Sequence, residues 1–471
     1  MAPHPTVATA APAAERAPPA APEPDAPPRR RARLRLPKSL KRLIAIALSL
    51  PVLLLLAQVG HRWFDTIGAA PVRRVRVLGS PRTPLVAGAP DFVRTMTALT
   101  GTPIVPGHGI ELLTDGAPTF ERMAADIRSA RRTIAIQTYY CEPGRVADGL
   151  HALLRAKARE GIAVFFLRDG LGCRSLSDAY LDGLRVDGVL VGTVRPLHWY
   201  TFHRAQHRSH VRAAVIDGEV AYTGGFGVAD KWLPGPAGEP GWRETTVRFT
   251  GPAVAQLAGA FAIAWAEATG ELLAGAGAFP APPAAPTDGV VAGVLYTTRS
   301  YGTPTPERYL ALSLAGARRT VYITNPYFIP NYALRRWLKA AAARGVDVRV
   351  LTASGRVDVK LTRWASRSHY ADLLAAGVRI YEYGPAMLHA KTLIVDGVWG
   401  SVGSLNLDNV SLRLNDEVTF VIRDGEVGAA LDSIFRADLE HSDEIVLERF
   451  RRRPWTERLR ELGARVFRDF L

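Results

Sequence analysis

The sequence predicts an α/β fold of two similar domains, each a mixed β-sheet flanked by helices, behind an N-terminal membrane helix. Three observations carry that prediction. Apolar β-branched runs alternate with amphipathic helical stretches from about Asp91 onward. The second half replays blocks of the first in the same order. An uncharged apolar segment follows a dense basic run near the N-terminus.

In chain order, residues 1–42 read as a disordered tail. Positions 1–28 are almost wholly Ala, Pro and a few charges, with no periodic apolar pattern, and arginines and lysines crowd 29–42. Leu43–Val59 then runs LIAIALSLPVLLLLAQV, about the minimum length for a membrane-spanning helix, with His61, Arg62 and Trp63 as interface anchors after it. No small-residue cleavage site follows, so the segment reads as a retained anchor. The charge bias places the N-terminus in the cytoplasm and the remainder across the membrane; a helix lying in the interface would relax that topology.

Residues 91–273 form the first domain. TIAIQTYY (133–140) and VFFLRDG (164–170) are strands, separated by a helical stretch through Leu150–Arg159. A Pro/Ala/Gly linker, 274–288, closes this half. The second domain, 289–445, repeats it. TVYITNPYF (320–328) matches the first strand, ALRRWLKAAAARGVDVRVLTASG (333–355) matches 149–170, and HAKTLIVDGVWGSVGS (389–404) matches HVRAAVIDGEVAYTGG (210–225). Two such copies pack naturally about a pseudo-two-fold axis, which brings equivalent loops into one cleft. The end, 446–471, mixes arginines with Trp455, Leu459 and Leu462, and suits either a basic amphipathic helix on an anionic bilayer or a helix docked on the protein.

The 471 residues are 48% hydrophobic and 22% charged, ordinary for a globular body, so the net charge of +15 is the unusual number. It favours an anionic partner, phospholipid or nucleic acid. Cys141 and Cys173 cannot make a disulfide framework or a CxxC zinc site, and read as two unrelated buried thiols rather than a pair.

The duplicated blocks carry the chemistry. Each has a histidine, a cation two residues on, and an aspartate five beyond that: His210, Arg212, Asp217 and His389, Lys391, Asp396. On a strand, positions i and i+2 share a face, so imidazole and cation point into one space. The cation neutralises phosphoryl oxygens while the imidazole attacks phosphorus or shuttles a proton. One histidine would form a phosphohistidine and the other would serve as acid and base; which does which stays open. The aspartates sit at an odd offset and belong to the catalytic block chiefly by fixing the turns at Asp217-Gly218 and Asp396-Gly397. Ser404 and Asn406 offer donors to phosphate, Gly224 and Gly225 allow close backbone approach, and Glu244 and Glu417 can each hold a histidine ring nitrogen. Arg212 and Lys391 supply the positive charge, so neither a metal nor a cofactor is required. A metal on His203, His207 and His210 lacks a completing carboxylate or cysteine. Those histidines, with Arg204 and Arg208, read instead as a basic approach, and Trp199 and Tyr200 as interface or packing residues.

The segments 381–418 (YEYGPAMLHAKTLIVDGVWGSVGSLNLDNVSLRLNDEV), 324–330 (TNPYFIP) and 242–254 (WRETTVRFTGPAV) resemble the phospholipase D superfamily, and most of all its bacterial cardiolipin synthase branch. The likeness runs from about Val105 to Arg453. It implies two phospholipase D-like domains and an enzyme of the bacterial inner membrane that joins two phosphatidylglycerols into cardiolipin and releases glycerol. It implies that His210 and His389 are the nucleophile and acid/base pair, and that Lys391, Ser404, Asn406 and Glu417 fall on phosphate-binding and histidine-supporting positions. Arg212 stands where the family usually has Lys, and Gly227 where Asn is common. The rival readings are a hydrolase releasing phosphatidic acid, a nuclease, and a non-catalytic membrane scaffold. The anchor counts against nucleic acid as partner and favours an anionic phospholipid. Because duplication supplies both half-sites, no oligomer is required.

Overall fold

The structure is a computed structural model that describes residues 60, 71–78, 84–198, 206–275, 289–299 and 302–466. Its strands in chain order are β1 (Val105–His108), β2 (Ile110–Thr114), β3 (Thr133–Thr138), β4 (Ala163–Asp169), β5 (Leu190–Val194), β6 (Ala213–Ile216), β7 (Val220–Gly224) and β8 (Thr245–Thr250). The second half adds β9 (Val290–Thr297), β10 (Thr320–Thr324), β11 (Asp347–Ala353), β12 (Arg379–Tyr383), β13 (Thr392–Val395), β14 (Trp399–Gly403), β15 (Glu417–Arg423) and β16 (Ser442–Glu444). They build two mixed sheets. The first runs β2-β8-β7-β6-β3-β4-β5, and the second β1-β9-β15-β14-β13-β10-β11-β12-β16. Without its edge strands β1 and β16, the second order repeats the first strand for strand, so the sequence duplication is a duplication of sheet topology.

Each strand forms because its alternate side chains have a layer to enter. In β3, Ile134 and Ile136 are buried toward the outer helices Gly116–Ser129 and Arg145–Arg159, while Ala135 packs on the opposite face. The inner faces of the two sheets meet in one apolar core, where Phe249 of β8 stacks on Phe420 of β15 at 4.2 Å between centroids. The helix Ala253–Thr269 packs against both β5 and β9.

One boundary departs from the sequence reading. The helix Pro90–Thr100 and strand β1, expected within a first domain of 91–273, pack with the second sheet. Phe92 and Met96 are fully buried beside Tyr309 and Leu314, Phe92 lies edge-on to Trp399 at 5.1 Å, and β1 pairs with β9. An amphipathic stripe announces that a helix will be covered, not which half covers it. The cysteines depart as well. Cys141 and Cys173, read as unrelated thiols, are both buried and in contact, Sγ to Sγ 2.7 Å.

The C-terminal stretch is docked on one face. In the helix Trp455–Val466, Glu457 and Glu461 turn inward to Arg367 and Ala464 is buried, while Trp455, Leu459 and Leu462 are exposed. Among the described residues no helix is long and apolar enough to cross a membrane. The segment 43–59, residues 276–288 of the linker and the loop carrying Trp199, Tyr200, His203 and Arg204 lie outside the described residues.

Candidate active site

Both histidines sit just ahead of equivalent strands, β6 and β13, in chain pinned by the opposite half. The backbone N–H of His210 donates to the Asp416 carbonyl at 3.0 Å, and that of His389 to the Arg243 carbonyl at 2.8 Å. The residue after each of those carbonyls is a glutamate. So the supports cross over. His210 Nδ1 lies 2.9 Å from both carboxylate oxygens of Glu417, and His389 Nδ1 lies 2.8 Å from Glu244 Oε2. With Nδ1–H donated to a carboxylate, each ring keeps its Nε2 lone pair for chemistry. Neither half supplies the carboxylate that holds its own histidine.

The cations stand where the motif spacing puts them, although residues 210–212 precede the strand rather than belong to it. Arg212 Nη1 donates to the His210 carbonyl at 2.8 Å, and Nη2 reaches His210 Nε2 at 3.0 Å. Lys391 Nζ donates to the His389 carbonyl and lies 3.1 Å from its Nδ1. All these groups are buried, and the charges of Arg212 and Lys391 act on both imidazoles, which makes one site of the two half-sites.

Burial dominates the electrostatics. It holds both imidazoles well below the ordinary histidine range, and the neighbouring Arg212 and Lys391 charges add to that, so both rings are neutral at pH 7. Burial also lowers the Lys391 ammonium to about 7, against the pull of Glu244, and raises the Glu244 carboxyl to about 7, against Lys391. Burial thus draws the Glu244 carboxyl and the Lys391 ammonium, both in contact with His389, toward neutral pH from opposite sides.

The remaining expected residues divide. Ser404, read as a phosphate donor, is spent on Glu417: its hydroxyl donates to Oε2 at 2.5 Å and accepts the Val418 N–H at 2.9 Å. Gly225 stands at the equivalent place, and a Cβ there would come within 2.4 Å of Glu244 Oε2. A Cβ at Gly224 would meet the Thr245 carbonyl oxygen at 2.9 Å. These glycines thus admit Glu244 and its strand rather than opening backbone to a ligand. Asn406 is buried, and its side-chain oxygen has no hydrogen-bond partner among the described residues. At the matching Gly227, a Cβ would meet the Trp232 ring at 2.7 Å, so an indole fills the space an asparagine side chain would take. Arg208, expected to line a basic approach, is buried against Asp169 at 2.9 Å, and His207 faces Asp416 at 3.4 Å.

Asp217 and Asp396 lie on the hairpin turns, away from the imidazoles. Both central residues of each turn have positive φ (54° and 65°; 55° and 70°), the twist that Asp-Gly supplies to a two-residue hairpin. The Asp396 carboxylate accepts the backbone N–H groups of Arg318, Arg319 and Thr320 at 2.7–2.9 Å, and Asp217 does the same for Arg131, Arg132 and Thr133. Asp396→Ala should therefore destabilise the fold by about 2–4 kcal/mol, because three donors lose a charged acceptor. Urea unfolding measures it; a loss of activity at unchanged stability would give the aspartate a chemical role instead.

The sequence reading missed an aromatic enclosure. Tyr139 lies edge-on to His210 at 4.6 Å, and Trp232 and Trp242 pack on His389 at 5.5 and 5.3 Å. The aromatic strand ends TYY and NPYF stand in matched blocks, which was a legible signal; Trp232, from a stretch with no repeat partner, had none.

The family model described as "Cardiolipin synthase, PLD-like domain" matches residues 310–439. Cardiolipin synthase A of Pseudomonas syringae pv. syringae (strain B728a) is 34% identical over 377 residues, covering 80% of this chain and 77% of that protein. Cardiolipin synthase of Halalkalibacterium halodurans is 34% identical over 375 residues, covering 79% and 74%. Among solved structures, phosphatidylserine synthase of Haemophilus influenzae Rd KW20 shares the fold at a TM-score of 0.60 and 14% identity, over 80% of this chain and 98% of that one. Two sheets of one repeated topology, a paired His-x-cation site and relatives at a third identity over most of both chains lead to one assignment: the chain belongs to the cardiolipin synthase family of phospholipase D-like proteins.

Proposed function

We propose that the protein joins two phosphatidylglycerols into cardiolipin and glycerol, through a phosphatidyl-histidine on His210. The observation that carries the mechanism is the crossed support of the histidines by Glu417 and Glu244. His210 Nε2 attacks phosphorus, and the P–O bond to the departing glycerol breaks as His389 protonates that oxygen. The glycerol hydroxyl of a second phosphatidylglycerol then gives its proton to His389 and attacks phosphorus, releasing His210. Arg212 and Lys391 hold the phosphoryl oxygens. Burial first, and then their charges, hold His389 low; a bound phosphodiester anion offsets the charges and lets the ring take up from solvent the proton it must donate.

The division of labour is supported by how each ring is held. His210 is clamped by a glutamate that a serine hydroxyl fixes in turn, which suits a nucleophile that must keep one tautomer. His389 lies between groups titrating at about 7, which suits an acid and base. A pseudo-two-fold relation of the halves is supported by reciprocal bridges, Ser209 with Asp416 and Leu388 with Arg243. An anionic phospholipid at a bacterial inner membrane is the substrate setting, with 43–59 as anchor.

Purified protein given phosphatidylglycerol should yield cardiolipin and glycerol in equal amounts. Phosphatidic acid as the sole lipid product would make water the acceptor and replace the synthase reading with a hydrolase.

A further inference from the structure

The duplication supplies an internal control on a feature the chemistry does not use. Thr133 matches Thr320, 187 positions on, and His210 matches His389, 179 positions on. Under that correspondence Met123, Ile136, Thr138, Phe226 and Val228 are the equivalents of Leu310, Ile323, Asn325, Leu405 and Leu407. All five first-half residues line a groove of about 580 Å³ between the helices Gly116–Ser129 and Arg145–Arg159. Their five counterparts line a cavity of about 30 Å³.

The second half is closed by identifiable side chains. Buried Glu307 accepts from Asn331 at 3.0 Å and from Arg413 at 3.2 Å, tying the helices Thr305–Gly316 and Tyr332–Ala343 together. The first half has Phe120 in place of Glu307 and the N-cap Gly144 in place of the N-cap Asn331, so neither position there has a polar side chain to make that tie. Where the second half carries Trp337 and Arg336, the first carries Leu153 and Ala152, both on the groove wall. The first-half space is open and apolar.

Three of the groove's lining residues are chain neighbours of residues that touch the reacting centre. Thr138 precedes Tyr139, whose ring abuts His210; Phe226 follows Gly225, which touches Glu244; and Leu233 follows Trp232, whose ring abuts His389. The wall Ala117–Arg128 runs for roughly 16 Å at 1.5 Å per helical residue.

The lining selects the occupant. The groove's walls are almost wholly apolar, with Ala117, Phe120 and Met123 on one helix and Val146, Leu150 and Leu153 on the other. An extended peptide would need partners for its N–H and C=O groups. Charged residues lie on the exposed helix faces (Glu121, Arg128, Arg145), and the buried hydroxyl of Thr138 already donates to the Tyr140 carbonyl. A hydrocarbon chain needs no such partners.

We propose that the groove between helices Gly116–Ser129 and Arg145–Arg159 binds one fatty acyl chain of the phospholipid whose phosphate lies at His210 and His389. The inference rests on the phospholipid reading of the site. It makes the two halves unequal in lipid binding, with one built subsite for a chain.

Gly149 lies on the groove wall, and a Cβ there meets nothing within 4 Å, so Gly149→Phe fills the groove without a clash at its base. Each methylene removed from an apolar site weakens binding roughly fourfold. In the full-length protein, Gly149→Phe should raise KM at least roughly tenfold for phosphatidylglycerol with sixteen-carbon chains and leave that for the six-carbon analogue unchanged. Ala124→Phe, on the facing helix, should do the same should the first variant fold poorly. Phosphatidylglycerol with a diazirine at the chain end should label peptides from 116–129 or 145–159 in the wild type. Equal losses on both chain lengths, no loss in either variant, or label only elsewhere would overturn the proposal. The labelling reads the groove even where no cardiolipin forms, so failure of the subsite and failure of the synthase reading give different results.

Discussion

His210→Ala is expected to lower the rate of cardiolipin formation by roughly 10⁵-fold or more, the loss typical of a removed nucleophile whose partners remain. The crossed supports explain why no neighbour substitutes. Glu417 is committed to holding the ring, and Arg212 Nη2 already approaches the Nε2 that would attack. His389→Ala should be nearly as damaging with phosphatidylglycerol, because glycerol is a poor leaving group without a proton. The two variants separate on a phosphatidyl p-nitrophenol ester, whose leaving group departs unprotonated. His389→Ala should then release nitrophenol in one burst and stop with a phosphatidyl adduct on the peptide containing His210. His210→Ala should release none. An adduct on the His389 peptide would exchange the two roles, and full activity in His210→Ala would refute the mechanism.

Lys391→Met should move activity and stability in opposite directions. Activity should fall by roughly 10²–10³, as for removal of one preorganised charge from a transition state. Stability should rise, since the burial cost of the ammonium outweighs the pull of Glu244 and, without Lys391, the Glu244 carboxyl, already raised to about 7, takes up a proton instead of remaining as an unpaired charge. The pH dependence gives the sign. Lys391 has a folded pKa of about 7, and an unfolded one near 10.4. Between those values the unfolded chain binds the extra proton, so this group's contribution makes stability rise with pH across that window. Below about 7 both states are protonated and the burial penalty is fully present. Thermal unfolding at pH 7 and pH 9.5 should show a rise in Tm for the wild type that Lys391→Met largely lacks. A lower Tm in the variant, or an unaltered rise, would mean that the ammonium is well satisfied in the resting protein.

These effects trace back to features of different legibility. The hairpins were readable because Asp-Gly between β-branched runs has a local cause, the positive φ of both turn residues. The sheet orders were implied by block repetition, since equal local sequence builds equal local topology. The place of Pro90–Thr100 was not readable, because its apolar stripe fits either half. Nor was the use of Ser404: a serine two residues before an asparagine looks like a phosphate donor until Glu417 is found 2.5 Å from its hydroxyl. Gly227 reads in sequence as a missing asparagine; in the fold it is the clearance that Trp232 requires.

The sequence by itself determined the two-half α/β plan, the pairing of each imidazole with a cation, and the turn role of the aspartates, because all three depend on spacing within a few residues. Only the tertiary structure decided which glutamate holds which histidine, which aromatic rings enclose them, and why one half keeps an open apolar groove while the other is closed by Glu307 and Asn331. Those are contacts between residues up to 207 positions apart. Their partners are chosen by how two sheets pack, and no local pattern encodes that.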